Sequence, residues 1–441
     1  MQFRTGVLYD GLYTFVLQAA NVVLAFAVGL LTARLLGPTG KGIYALPVVQ
    51  AGLIAASFGG LTSATSYYLL NERAGRRIIA VLSLTSALFV TVGIAAVAIV
   101  AAVSHALWAA PAAIASLPGL ATIAAVRGYV TGIKRIRYVG SLSTALAVAS
   151  LAFTAIGLFL VARTPFVAIA AWVLSTNAVA AVAWVAMILH ARSLEPGNRI
   201  EVRAFFLLAV KGGATALVSL LNYRADLYVV AIMLSTRDLG LYSVATSAPQ
   251  ALLFPAQVAA TVTSPHIGGF DRKTAASITA RCARHSMLIS FVICTLVFVL
   301  APALVGAFYG GAFLPLVPAL RILLVGVVAL ALAGPISSYY TLKLGKPEVP
   351  LMLAGISAVI CIAATIVLIP TLGIAGAATA STASYLLTQA LAMWYFRRST
   401  GIGFGTMLVP TRLDLRLYVE FLGRLRQDGA RLLRRPAGTA G

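Results

Sequence analysis

The 441-residue sequence predicts an all-α polytopic membrane protein with about 12 transmembrane helices arranged as two pseudo-symmetric six-helix lobes. Three observations carry this expectation. Apolar residues make up 61% of the chain and charged residues 10%, with a mean hydropathy of +0.97, whereas soluble domains carry about a quarter charged residues. Apolar runs of about 18 or more residues recur, the length a helix needs to cross hydrocarbon, in place of the alternating segments of about ten residues found in membrane barrels. Third, the Lys and Arg residues sit on alternate loops, as the positive-inside rule requires of a multi-pass protein.

Hydropathy, punctuated by charges, Pro and Gly, places spans near 11–33, 44–70, 78–102, 107–126, 139–161, 166–189, 205–234, 241–264, 286–308, 316–341, 351–369 and 374–396. Pro111 and Pro118 interrupt the fourth of these. With the N-terminus inside, 26 of the 33 Lys and Arg fall on inside segments. Only Arg34, Lys41, Arg163 and Arg237 fall outside, and Lys211, Arg224 and Arg321 lie within spans. Both termini are therefore expected in the cytoplasm of a cell (inner) membrane protein, and the net charge of +22 is read as topological, with no nucleic acid as a partner. One Arg precedes the first span and no small-residue cleavage site follows it, so that span is expected to stay as an anchor. Cys282, Cys294 and Cys361 have no CxxC spacing and are read as small apolar fillers.

Two internal echoes suggest duplication. Gly42-Ile43-Tyr44 matches Gly240-Leu241-Tyr242, and Thr131 and Trp184 match Thr341 and Trp394. Each half then holds an even number of spans and the pseudo-axis runs along the membrane normal. The expected division is an N-terminal lobe at 1–190, a cytoplasmic connector at 191–204, a C-terminal lobe at 205–397 and a basic tail at 398–441. In the tail, Leu413, Leu417, Phe421 and Leu425 recur among arginines, the pattern of an amphipathic helix lying on the anionic inner leaflet.

The seventh span, FFLLAVKGGATALVSLLNYRADLYVVAIML at 205–234, carries the most chemistry. Lys211, Thr215, Ser219, Asn222 and Asp226 follow steps of three and four, so they share one helix face; Arg224, about 200° from Asp226, looks into a different groove. Ionisable groups at membrane depth normally face a bundle interior or an aqueous cavity, so this helix is expected to line something wet. Similar rows occur at Thr14, Gln18 and Asn21, with Thr32 beyond, and at Thr246, Gln250, Gln257 and Thr261. A single row is explained by interhelical hydrogen bonding; three rows favour a shared hydrophilic interior. Arg34 and Lys41 form a cationic pair that either attracts a diphosphate or merely ends a helix. Lys41 in LLGPTGKGIY is followed by Gly42 and lies between spans, so it does not make a nucleotide-binding phosphate loop. Asp226 is the acidic residue inside a span; it is either a proton- or sodium-coupling group or a structural partner of Arg224, Lys211 or Asn222. His105, His190, His266 and His285 have no carboxylate or second His at ligand spacing, so neither a metal site nor catalysis is expected.

Several stretches resemble a known family: ARLLGPTGKGIYAL (33–46), LGLYSVATSAPQALLFPAQVAATVTSPHI (239–267), FYGGAFLPLVPALRIL (308–323), LKLGKPEVPL (342–351) and IPTLGIAGAATASTASYLL (369–387). Their order is similar to that in the Wzx-type polysaccharide-biosynthesis flippases of the multidrug/oligosaccharidyl-lipid/polysaccharide exporter superfamily, whose fold is MATE/MOP-like. The resemblance implies two six-helix lobes around a cationic cavity. It also implies ion-coupled alternating access that carries an undecaprenyl-diphosphate-linked oligosaccharide to the outer leaflet, without a cofactor beyond a proton or sodium gradient. It makes Arg34, Lys41, Lys211 and Arg224 candidates for head-group contact, joined by the polar groups Gln18, Asn21, Asn222, Gln250 and Gln257, and makes Asp226 the coupling candidate. Expected partners are the lipid-linked substrate, membrane lipids and other polysaccharide-assembly proteins. Twelve spans argue against the fourteen-span lipid II flippases. The competing readings are a cation-coupled drug or metabolite antiporter of the same fold, and a membrane-embedded glycan polymerase or ligase, which would need a long outside loop.

The topology has a direct check. Alkaline phosphatase fused after Arg163 or Arg237 is expected to be active, and green fluorescent protein fused after Arg199 to fluoresce; the opposite pattern inverts the orientation.

Overall fold

The computed structural model describes residues 2–103, 106–253, 270–411 and 414, and among them there is helix and no strand. The first hairpin shows how reversals are built. Helical assignment runs through Gln2–Ser57, 56 residues, which as one rod would measure about 84 Å against a hydrocarbon core of about 30 Å. Gly37 breaks it with φ 68°, a left-handed conformation that glycine adopts without strain, and Pro38 starts the next helix with its φ already set. Lys41 Nζ then reaches back to Thr32 Oγ1 at 2.7 Å across the reversal. Helix α1 is thus 2–36 and α2 is 38–70, with a one-residue interruption at Phe58.

The chain continues through α3 (Ile78–Val103), α4 (Ala110–Gly132), α5 (Ile136–Ile156), α6 (Pro165–Arg192), α7 (Val202–Met233) and α8 (Thr236–Leu252). There follow α9 (Arg272–Tyr309), α10 (317–343, in three helical pieces), α11 (348–372), α12 (374–400) and the short α13 (Phe404–Leu408). Local signals explain the starts. Thr164 caps α6, accepting from the Val167 amide at 3.4 Å, and Asp271 caps α9, accepting from the Lys273 and Thr274 amides at 3.1 and 3.2 Å. Gly373, φ 56°, repeats the device of Gly37, and Ser357 and Ser384 meet at 2.8 Å across the α11–α12 hairpin. Nine segments among the described residues are long and apolar enough to cross a membrane. Two of them contain the reversals at Gly37 and Gly373, and α8 begins one more span, so the described helices accommodate the expected twelve.

Boundaries differ from the sequence reading where apolar runs continue past a charge. The fourth span extends to Gly132, which puts Arg127 inside α4 instead of in a loop. Pro111 sits in its first turn, where no amide bond is lost, and Pro118 is accommodated within it. The tail positions Leu417, Phe421 and Leu425, like Leu413, lie outside the described residues.

Helices α1 to α6 pack among themselves, as do α7 to α12, and the two groups meet where the α1–α2 hairpin lies on α8 and where α2 lies on α7. A Cβ on Gly42 would fall 1.6 Å from the Thr236 carbonyl oxygen, and one on Gly240 would fall 1.9 Å from that of Pro38. Positions 38 and 236, and 42 and 240, share the offset seen in the sequence echo. The contact is therefore reciprocal, as a two-fold axis between the halves demands. A second close approach sets Gly60 of α2 against the Ala209 carbonyl of α7, and Gly213 of α7 against that of Ser57. One apolar core straddles the first contact, bringing Leu46 and Val49 together with Leu227, Val230 and Leu241; a second lies under Phe58, Leu117 and Tyr129 in the first half.

At the other end of the bundle, the segment after α6 is pinned to the α2–α3 turn: Arg76 donates its amide to Glu195 at 2.9 Å and Asn198 donates to Arg73 at 3.1 Å. Past α13, buried Asp414 accepts from Arg284 of α9 with a 2.9 Å ion pair, and Arg284 Nη1 donates to the Thr406 carbonyl at 2.7 Å. Burial alone would raise the Asp414 carboxyl, but bonds from the Thr411 hydroxyl and amide and from the Arg284 guanidinium outweigh it and hold the group at about 2.

Because the atoms facing Gly42 and Gly240 are backbone, neither site can relax cheaply. Gly42→Ala and Gly240→Ala are each expected to lower stability by ~1–3 kcal/mol, with the double variant less than additive, in thermal unfolding of the purified protein. Gly306→Ala, which has open space around its Cβ position, is the neutral control.

Candidate functional site

Three polar cavities flank α1 and α7. The first lies between the halves, about 270 Å³, and is lined by Lys41, Arg224 and Ser247 together with Gly29, Val22 and Tyr309. Lys41 enters it from the second turn after the Gly37 reversal; it is only 7% exposed, is held by Thr32, and lies 5.0 Å from the centroid of the Tyr44 ring. Arg224 enters from α7. Among the described residues no carboxylate lines this pocket, so its described lining is positively charged.

The second cavity, about 320 Å³, lies within the second half. Thr215, Ser219 and Asn222, the predicted row on α7, face Ser337, Thr388 and Gln389 across it. Its polar lining is neutral hydroxyl and amide, and the enclosed Gln389 Oε1 has no protein donor among the described residues. Lys211 sits exposed on the same helix and does not line it.

Asp226 continues the α7 row but leaves the cavity. It is 2% exposed, and its Oδ1 accepts from the Leu227 amide at 2.8 Å. Its Oδ2 accepts from Ser381 Oγ of α12 at 2.6 Å and from the Tyr242 hydroxyl of α8. Cys361 Sγ lies 3.5 Å from the same Ser381 hydroxyl. The hydrogen bonds to Asp226 therefore come from neutral donors, one on its own helix and two on other helices, while Asn222, one turn away, faces the cavity. The described residues contain no group of three His, Cys, Asp or Glu placed to hold a metal ion.

The third cavity, about 280 Å³, lies within the first half and is lined by Asn21 of α1, Arg127 of α4, Ser143 and Ser150 of α5, and Trp172 and Thr176 of α6. Arg127 Nη2 donates to Ser143 Oγ at 3.1 Å. The sequence reading missed this residue because Arg127 was counted with the inside loop charges. The signal available was the apolar continuation GYVTG, which carries the helix on past it.

The remaining predicted residues scatter. Gln18 and Arg34 are exposed. The Gln250 side chain and all of Gln257 lie outside the described residues, as does the Thr14 side chain; Thr246 is buried and bonds the Tyr242 carbonyl at 3.1 Å. The polar rows of α1 and α7 thus open on different cavities and not on one chamber. Helix α1 borders two of these cavities, since Ala25 lines both the first-half cavity and the pocket between the halves.

No family profile matches the chain, and no curated protein does. Solved structures match it closely in fold. An inward-facing multidrug resistance MATE family transporter of the MOP superfamily superposes with TM-score 0.69 at 16% identity, covering 86% of this chain and 94% of that one. Lipid II flippase MurJ, in an inward closed conformation, gives 0.69 at 14% identity over 94% of this chain and 93% of that one. A MOP superfamily transporter from Pyrococcus furiosus, described as having a binding pocket of reverse polarity, gives 0.61 at 14% identity over 90% and 95%. The chain therefore has the fold of these transporters.

The donors around Asp226 generate a stability prediction. Tyr242→Phe and Ser381→Ala are each expected to lower stability by ~1–3 kcal/mol, since each leaves a buried carboxylate one bond short. In an Asp226→Asn background both effects should shrink, read as non-additivity in thermal unfolding.

Proposed function

We propose that this protein is a flippase that moves an undecaprenyl-diphosphate-linked oligosaccharide from the cytoplasmic to the outer leaflet of the inner membrane, by ion-coupled alternating access. The observation that carries the proposal is the pocket between the halves, whose described lining includes Lys41 and Arg224 and no carboxylate. A diphosphate cannot enter hydrocarbon unaided, and cations in a low-dielectric cleft replace its hydration. The hydroxyl- and amide-lined cavity on the α7 row offers matching partners for sugar hydroxyls. Fold neighbours include a lipid II flippase, whose substrate is also a lipid, which supports the reading.

In the orientation taken from the charge census, both termini are cytoplasmic, the connector at 191–204 is inside, and the reciprocal contact of Gly42 with Gly240 lies on the outer side. That contact is the seal that parts for release. The arginines of the basic tail suit the anionic inner leaflet. Asp226 is the coupling group: its neutral donors leave the carboxylate able to hold a proton or sodium ion, and it shares α7 with Arg224.

The second reading, a drug or metabolite antiporter, draws on the multidrug transporters of the same fold. A cationic drug needs an acid in its pocket, and Asp226 is closed off inside the second half. The two readings separate in liposomes holding fluorescent lipid-linked oligosaccharide. The wild type is expected to accelerate its transbilayer movement, Arg224→Ala to slow it at least ~10-fold, and Asp226→Asn to abolish stimulation by an ion gradient while downhill exchange persists. Efflux of cationic dyes without lipid movement would establish the antiporter instead.

A further inference from the structure

Arg127 is a half-buried charge within α4. An arginine within two turns of a membrane helix end ordinarily extends its stem toward water. Here the side chain turns into the first-half cavity, donates to Ser143 at 3.1 Å, and encloses its Nε with no protein acceptor among the described residues. A guanidinium carries five donors and is costly to enclose without an anion. Arg284 likewise encloses an Nε without an acceptor among the described residues, but its charge is matched by the Asp414 carboxylate at 2.9 Å. Among the described residues no carboxylate lines the Arg127 cavity, while Asn21, Ser143, Ser150 and Thr176 supply further neutral hydrogen-bonding groups.

We propose that the Arg127 cavity is a second anion-binding station, which takes the diphosphate of the lipid-linked head group before it reaches Lys41 and Arg224. The planar fork of Arg suits phosphate oxygens, and the polar side chains around it complete the shell. A volume of about 280 Å³ is that of a small head-group pocket. The geometry of α1 connects the stations. Asn21, Ala25 and Gly29 lie four residues apart on one face; Asn21 lines the Arg127 cavity, Gly29 lines the Lys41–Arg224 pocket, and Ala25 lines both. With the N-terminus inside, Arg127 is the station nearer the cytoplasm. The inference rests on the flippase reading and adds where the anion binds first.

The test is equilibrium binding to the full-length protein in nanodiscs, with farnesyl diphosphate, farnesol and inorganic pyrophosphate as probes. Wild type is expected to bind farnesyl diphosphate. Arg127→Gln should weaken that binding at least ~10-fold, Arg127→Lys should retain most of it, and Arg127→Gln/Arg224→Gln should weaken it further, with farnesol binding unchanged throughout. Competition by pyrophosphate assigns the station to the bare anion; Arg127-dependent binding that pyrophosphate does not displace assigns it to the lipid-borne group. Should Arg127→Gln fail to give a monodisperse protein, Ser143→Ala replaces it, with an expected weakening of a few-fold. Wild-type affinity in Arg127→Gln, or in Ser143→Ala where that serves instead, overturns the station and leaves the flippase reading standing. Absence of diphosphate binding by the wild type overturns the flippase reading itself.

Discussion

The backbone contact of Gly42 with Gly240 governs how the two halves face each other. Each glycine lies against a carbonyl oxygen that the other half supplies, so the α1–α2 hairpin can approach α8 more closely than any side chain would allow. The position of the pocket follows from this approach. Lys41 precedes Gly42 directly, and Ser247 lies two turns beyond Gly240, so the contact that closes one end of the cleft also draws its walls together. The apolar core around Leu46, Val49, Leu227 and Leu241 covers the same contact and keeps water from it.

Charge is then distributed by helix period. On α7, Arg224 and Asp226 are two residues apart and point to different neighbours: Arg224 to the cleft with Lys41, Asp226 to Ser381 and Tyr242 within the second half. Had they been three or four apart, they would have shared a face and screened each other. The spacing aims the two side chains at different neighbours while leaving Arg224 close enough to Asp226 to act on it through charge. Arg321, by contrast, settles locally, donating to the Phe298 carbonyl at 3.0 Å and lying 5.1 Å from that ring's centroid.

Much of the fold was legible because hydropathy and Gly or Pro punctuation are local signals. The reversals at Gly37 and Gly373, and the echo of Gly42-Ile43-Tyr44 in Gly240-Leu241-Tyr242, can be read without knowing any contact. The site was legible only as faces. Periodicity says that Thr215, Ser219 and Asn222 lie together, and they do line one wall. It does not say what stands opposite: the Ser381 that bonds Asp226 is 155 residues away. Arg127 was lost for a related reason. A charge at the edge of an apolar run is read as the end of a span, and only packing against α5 reveals that the helix continues and the side chain turns inward.

The separation of the cavities sets a mechanical requirement on α1. On the flippase reading, the head group travels from the Arg127 side to the Lys41 side along the face of α1 that both cavities share, and not through the helix. That face becomes smaller along its length, from Asn21 to Ala25 to Gly29, and a Cβ at Gly29 would meet nothing within 4 Å. Bulky residues at Ala25 or Gly29 would have divided the two cavities, whereas small ones leave a lateral groove past the helix without breaking its backbone bonds. On the flippase reading, the Gly42–Gly240 contact and that groove belong to the same α1–α2 hairpin, which ties the outer seal to the path of the head group.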